Sequence, residues 1–213
     1  ALFVRVKKQS RFLLLISMLF AGCSLGIEYQ ETGSTVDAYQ DPVQRAVQGE
    51  SFTVDGLVGS CDLQPRASIV MQGRVLHTRH YDLDWRSVCS PLDIALGWGP
   101  VADPGVDEWI NWRQSRRWYF YTIQPGAPVS VQDVARHSSN VHIIPANNNL
   151  SRALLKLEVG DLVFLEGELV DAEVDLLGMS FVTRTSLTRT DSGGGACEIL
   201  YVRRLVVDGK EFR

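Results

Sequence analysis

The sequence predicts a mainly β domain (α+β): a small twisted antiparallel sheet or partly closed barrel with two or three short helices inserted. Three observations lead there. From residue 51 onward apolar and polar residues alternate in seven or so short segments, the mark of strands with one buried face. Those segments are rich in β-branched and aromatic residues, which pack well on a pleated surface. Helical spacing is confined to three short stretches, each with its own start signal.

In chain order, "SFTVDGLV" alternates, and "ASIVMQGRVLHTRHY" gives one long strand or two interrupted at Gly73. Residues 103–114, "DPGVDEWINWRQ", start with an aspartate cap and a proline, so a helix is expected there, with Val106, Trp109, Ile110 and Arg113 along one side. "RRWYFYTI" is a strand. Ser130-x-x-Asp133 resembles a capping box and predicts a helix over 130–137. "NVHIIPA" is a strand, and Leu150, Leu154 and Leu157 predict a helix over 150–157 that stops at Gly160. "DLVFLEGELVDAEV" carries apolar residues on both faces, with Gly167 at a bulge or a close backbone approach. "SFVTRTSLTR" and "CEILYVRRLVV" complete the set.

Ahead of this body, Arg5, Lys7, Lys8 and Arg11 precede an apolar run of about ten residues. That is the layout of a secretory signal and is too short for a membrane span, which needs about twenty. The run closes on "LFAGCS", which resembles the lipobox of bacterial lipoproteins, with Phe20 where that family carries leucine. The resemblance implies cleavage after residue 22 and acylation of Cys23, and Ser24 implies sorting to the outer membrane. The expected organisation is therefore a signal over 1–22, a polar lipidated tether over 23–50 and one domain over 51–213. Its expected place is the periplasmic face of the outer membrane. Residues 23–213 hold 17 Lys+Arg against 25 Asp+Glu, a net charge of -8 that argues against nucleic-acid binding.

Three blocks, "SPLDIALGWGPVADPGVDEWI", "SSNVHIIPAN" and "SLTRTDSGGGACEILYV", resemble in that order a family of uncharacterised bacterial proteins. The resemblance implies a shared fold and carries no activity or site residues.

Chemistry has one candidate centre. Cys197 follows a glycine run that could supply backbone N–H donors, His142 could act as base, and Asp191 or Asn147 could orient it. The order His142, Cys197, then Arg203 or Arg204 is weakly similar to sortase-type transpeptidases, whose cysteine ends a strand rather than beginning one. The structural alternative is simpler: cysteine is a frequently buried residue, and glycines are ordinary turn material. His142 would then hydrogen-bond the Asn-rich turn that follows it. We expect the structural role, and hence a protein that is not an enzyme. Once Cys23 is lipidated, Cys61, Cys89 and Cys197 are three thiols, so one bridge leaves one free; loop entropy cannot choose the pair.

Other features point to binding or to nothing. Trp98, Trp109, Trp112 and Trp118, with Arg116 and Arg117, are candidates for a face that holds a protein or peptidoglycan partner; the alternative is that they plug the core. His77 and His80 point to opposite faces of a strand, which spoils a shared metal. No calcium-loop, phosphate-loop or dinucleotide pattern is present, and no cofactor is expected. The function expected from sequence is a lipid-anchored accessory protein, noncatalytic, of the kind that serves as a subunit of an envelope assembly. Its rivals are a cysteine hydrolase or transpeptidase acting on cell-wall peptide, and a glycan-binding module.

Overall fold

The computed structural model describes residues 26–56, 58–188 and 196–213. The signal segment, Cys23 and Asp191 lie outside the described residues. The chain runs β1 (Gln30–Glu31), β2 (Val43–Ala46), β3 (Phe52–Asp55), β4 (Gly59–His80), β5 (Leu92–Gly97), α1 (Pro104–Asp107), β6 (Ile110–Ser115) and β7 (Trp118–Ile123). It continues through α2 (Val131–Arg136), β8 (Ser138–Pro145), α3 (Asn148–Leu154), β9 (Leu162–Leu176), β10 (Met179–Thr183), β11 (Glu198–Val207) and β12 (Lys210–Phe212).

The fold is mainly β, as expected, and ten strands share one twisted sheet while β6 and β7 form a separate hairpin. Within the large sheet β4, β5, β8, β11 and β9 pair in sequence, and β9 pairs back to β4, so the ladder runs partly round a ring. The sheet is mixed rather than wholly antiparallel, because β8 and β11 run parallel. A parallel pair requires a long crossover, and α3, β9 and β10 supply it.

Two apolar clusters cover the two faces. The larger holds Ile69, Met71, Ile94, Leu96, Val141, Ile143, Leu165 and Leu200, with Trp98 at 1% exposure and the α3 residues Leu150 and Leu154. The other holds Cys61, Leu63, Cys89, Ile144, Val170, Ile199 and Tyr201, with Trp85 and Phe52 against it. Residues alternate between these clusters along one strand: Val141 and Ile143 turn to the first, Ile144 to the second. This two-sided burial explains why β5 and β8 read as continuous apolar runs.

Several expectations are refined. β4 continues without a break through Gly73, where a Cβ would run into the Gly97 carbonyl of β5, so the glycine marks close strand approach. At Gly167 a Cβ would strike the Tyr201 carbonyl, and the β9–β11 register shifts between Val202 and Arg204 beside it. The helix expected over 103–114 is a correction: only one turn forms, in α1, and 110–115 become β6. The cap is real, with Asp103 accepting from the Gly105 N–H at 2.7 Å, but pairing with the aromatic β7 outcompetes the weak helical pattern. α2 carries the full capping box between Ser130 and Asp133. α3 begins earlier than expected because Asn147 caps it, accepting from Leu150 N–H at 3.0 Å.

Within the stretch expected as a tether, β1 pairs with β12 and β2 pairs with β4. Cys61 and Cys89 form a disulfide with their Cα atoms 6.4 Å apart, and Cys197 is a free thiol. The bridge ties the loop after β4 back onto that strand, and this loop carries Asp84 and Arg86.

Candidate functional site

Register builds the site. Asp93 of β5 is the direct cross-strand partner of His142 on β8, and His142 in turn lies beside Ile199 on β11. Residues level with one another on neighbouring strands share a face, and the face repeats every second residue. Asn140, two before His142, and Cys197, two before Ile199, therefore join Asp93 and His142 on the side away from Val141, Ile143 and Leu200. Four polar or reactive side chains from three strands meet there by pairing alone.

The turn between β6 and β7 closes over this group. Arg116 and Arg117 both adopt positive φ, 52° and 68°, the conformation of a tight hairpin turn that usually recruits Asn and Gly. Holding two arginines there is costly, and Arg117 makes contacts that offset the cost. Its guanidinium donates Nε to Asp84 Oδ2, Nη2 to Asp84 Oδ1 and Nη1 to Asp93 Oδ1, each at 2.7 Å, and Nη2 also to the Ser90 carbonyl at 2.9 Å. It lies over the Tyr81 ring, 3.8 Å from the centroid, while its backbone N–H donates to the Tyr81 hydroxyl. Burial disfavours the charge of Arg117, but Asp84 and Asp93 outweigh it and raise its pKa. Asp84 loses solvent on the same account, yet its bonds to Arg117 hold its pKa below the usual value.

Asp93 is fully buried, and its Oδ1 also sits 2.9 Å from His142 Nδ1. That nitrogen has no properly directed hydrogen-bond partner among the described residues, so the attraction is one of charge at close range. His142 lines the same cleft as Cys197, whose thiol donates to the Arg117 carbonyl at 3.8 Å. Burial opposes protonation of His142, but the nearby Asp93 and Cys197 prevail and push its pKa up to about 9. The imidazole is therefore a cation at neutral pH, placed between a carboxylate and a sulfur.

Around the sulfur, Asn140 Nδ2 donates to Cys197 Sγ at 3.7 Å and to the Arg117 carbonyl at 3.1 Å. Asn140 is held by Gln114, whose Nε2 donates to Asn140 Oδ1 at 2.6 Å, and Gln114 meets His77 Nδ1 at 2.9 Å. The hydroxyl of Ser139 hydrogen-bonds the buried carboxylate of Glu198, the residue after Cys197. A cleft of about 80 Å³ opens over the centre, lined by Cys197, His142, Arg86, Arg116, Arg117, Trp118, Thr183 and Arg184. Behind it a recess along the disulfide has only about 10 Å³, at the lower limit of what a single water needs.

The sequence candidates divide. Cys197 and His142 come together as the reactive reading requires, and the Asn-rich turn does not hold His142. Asn147 is spent on capping α3, Asp191 lies outside the described residues, and the carboxylate placed against His142 is that of Asp93. Asp93 was not a candidate, although a carboxylate inside "PLDIALG", a run buried at every position, is a usable signal. Arg117 belongs to the buried site instead of an outer binding face. Trp98 is core, and Trp112 stacks on Tyr119, meets Tyr121 at a tilt and donates to Asp107. Trp109 is half-buried, whereas Trp118 and Phe120 of β7 are exposed. His77 serves Gln114, and among the described residues no three His, Cys, Asp or Glu groups are placed to hold a metal.

Replacing Arg117 with methionine strands Asp93 without its cation, so urea unfolding should lose about 3–5 kcal/mol; a loss under about 1 kcal/mol would mean that the pair does not organise the site. His142 has a folded pKa raised above its unfolded value, from 6.5 to about 9. Its stabilisation is thus complete below the unfolded pKa and disappears as pH rises through about 9. The urea midpoint should fall over that window, and His142→Gln should flatten the fall; an unchanged profile in the variant would assign the fall to another group. Comparison with known proteins gives no match for this chain: no family model, no curated protein and no solved structure.

Proposed function

We propose that this chain is an exported, lipid-anchored envelope protein that performs acyl transfer through Cys197, as a hydrolase or transpeptidase on cell-wall peptide. The observation that carries the chemistry is the position of His142 between the buried Asp93 and the free thiol of Cys197. A thiolate is the attacking form of cysteine, and a charged imidazole at its side is the usual means of holding it. Asp93 and Arg117 fix the ring and the charge balance without touching substrate, and they are positioning residues.

The steps follow from the geometry. The Cys197 sulfur attacks the carbonyl carbon of an amide, forming a C–S bond as the carbonyl electron pair moves onto oxygen. Collapse breaks the C–N bond, and the proton of His142 passes to the departing amine. Nδ1 faces Asp93, so Nε2 is the nitrogen left for this transfer. Water gives a proton to the now neutral His142 and adds to the thioester carbon, and cleavage of the C–S bond releases the acid and restores the thiolate beside a charged His142; an acceptor amine in place of water yields a new amide. Asn140 Nδ2, already directed at the sulfur, is the donor available to the developing oxyanion.

Export is supported by the basic and apolar leader, by the lipobox-like "LFAGC", and by the Cys61–Cys89 bridge, which suits an oxidising compartment. A second reading is a noncatalytic accessory protein that binds a protein or wall partner. It is favoured by Trp118 and Phe120, which stand 39% and 45% exposed on the hairpin.

Native protein treated with iodoacetamide should be alkylated at Cys197, and His142→Ala should slow this by about tenfold or more. An inert thiol, or one indifferent to His142, removes the acyl-transfer reading and leaves the accessory one. Cells expressing the chain and treated with globomycin should accumulate an uncleaved precursor; its absence would remove the lipid anchor.

A further inference from the structure

The cleft over Cys197 carries a charge pattern that acyl transfer alone does not need. Four of its lining residues are arginines, His142 is a cation, and among the described residues no acidic side chain lines it. The two nearby carboxylates, Asp84 and Asp93, are already committed to Arg117 and His142. Arg86, Arg116 and Arg184 therefore face the cleft as positive charge that this network does not neutralise.

Arg86 is the best placed of the three. Its guanidinium lies 4.1 Å from the centroid of the Trp85 ring, and Trp85 stacks on Phe181 of β10 at 5.1 Å. The disulfide at Cys89 tethers the same loop. Its Nε is buried with no hydrogen-bond partner among the described residues. Burial, followed by repulsion from Arg117, lowers its pKa. A partly desolvated guanidinium held near another cation gains from an anion on both counts.

Building on the acyl-transfer reading, we propose that Arg86, Arg184 and Arg116 form a subsite for a carboxylate on the acyl substrate, set within one small residue of the carbonyl that Cys197 attacks. The planar fork of arginine matches a carboxylate better than a point charge does. The cleft, about 80 Å³, holds a small group rather than a long chain. The substrate class is thus a peptide with a free carboxylate next to the bond that reacts. A neutral amide deep within a chain would leave the arginines unmatched.

The test compares two alkylating reagents of nearly equal size on the full chain: iodoacetate, which carries the carboxylate, and neutral iodoacetamide. Mass spectrometry of the peptide containing Cys197 gives the rate for each. In the unaltered protein iodoacetate should react at least as fast as iodoacetamide, and added salt should slow only iodoacetate. Arg86→Gln combined with Arg184→Gln should cut the iodoacetate rate by about tenfold or more while the iodoacetamide rate stays within about threefold. Arg184→Gln alone, at an exposed position, should give part of the loss even if the double variant folds poorly. Iodoacetamide reacting faster than iodoacetate, or variants that slow both equally, would overturn the subsite while leaving the nucleophile in place. Failure of both reagents to reach Cys197 would overturn the acyl-transfer reading and the subsite with it.

Discussion

The buried contact between Arg117 and Asp93 is the constraint on which the rest of the site depends. An isolated carboxylate with no solvent exposure costs several kcal/mol, and the guanidinium at 2.7 Å is what makes Asp93 tolerable in the middle of β5. The same guanidinium grips Asp84 with two further bonds, so a loop and a central strand are joined through one side chain. Two arginines at positive φ oppose this by roughly 1–2 kcal/mol each. Losing the buried cation would cost more, so the strained turn persists and stays fixed over the cleft.

Strand register carries the second constraint. Asp93, His142, Asn140 and Cys197 share a face because β5, β8 and β11 pair as they do, and the parallel β8–β11 pair sets Cys197 beside Asn140. A slip of one residue in β8 would turn His142 into the apolar cluster of Ile94 and Leu200 and bring Val141 to the sulfur. Burial of Val141 and Ile143 prevents that slip. The packing of the core thereby holds the reactive groups in place without any contact of its own with the cleft.

A sulfur beside a cationic imidazole, an amide donor aimed at it and a rim of arginines are coherent as one device. The charge on His142 and the rim together favour an anionic visitor. The disulfide contributes at one remove: it tethers the loop that supplies Asp84 to the buried pair and Arg86 to the rim. An oxidising surrounding that sustains this bridge also exposes the free, partly accessible thiol of Cys197 to oxidation.

Much of the architecture was legible in the residues. Alternation located most of the strands, Ser130-x-x-Asp133 marked a helix start, and Gly167 announced a bulge or a close approach, because each is a local pattern with a local cause. Cys197 and His142 could be named as a pair, but whether they meet is a question about three strands, two of them far apart in sequence and parallel in space. Asp93 and Arg117 escaped for the same reason: one looks like a lone charge in an apolar run and the other like a surface turn residue until pairing brings them together. The residue 103–114 pattern misled because α1 and β6 compete locally, and only the partner β7 decides between them. Sequence by itself determined which segments bury one face and which side chains can react. Tertiary structure alone decided which of those side chains stand together, because side-chain period is a property of one strand and register is a property of two.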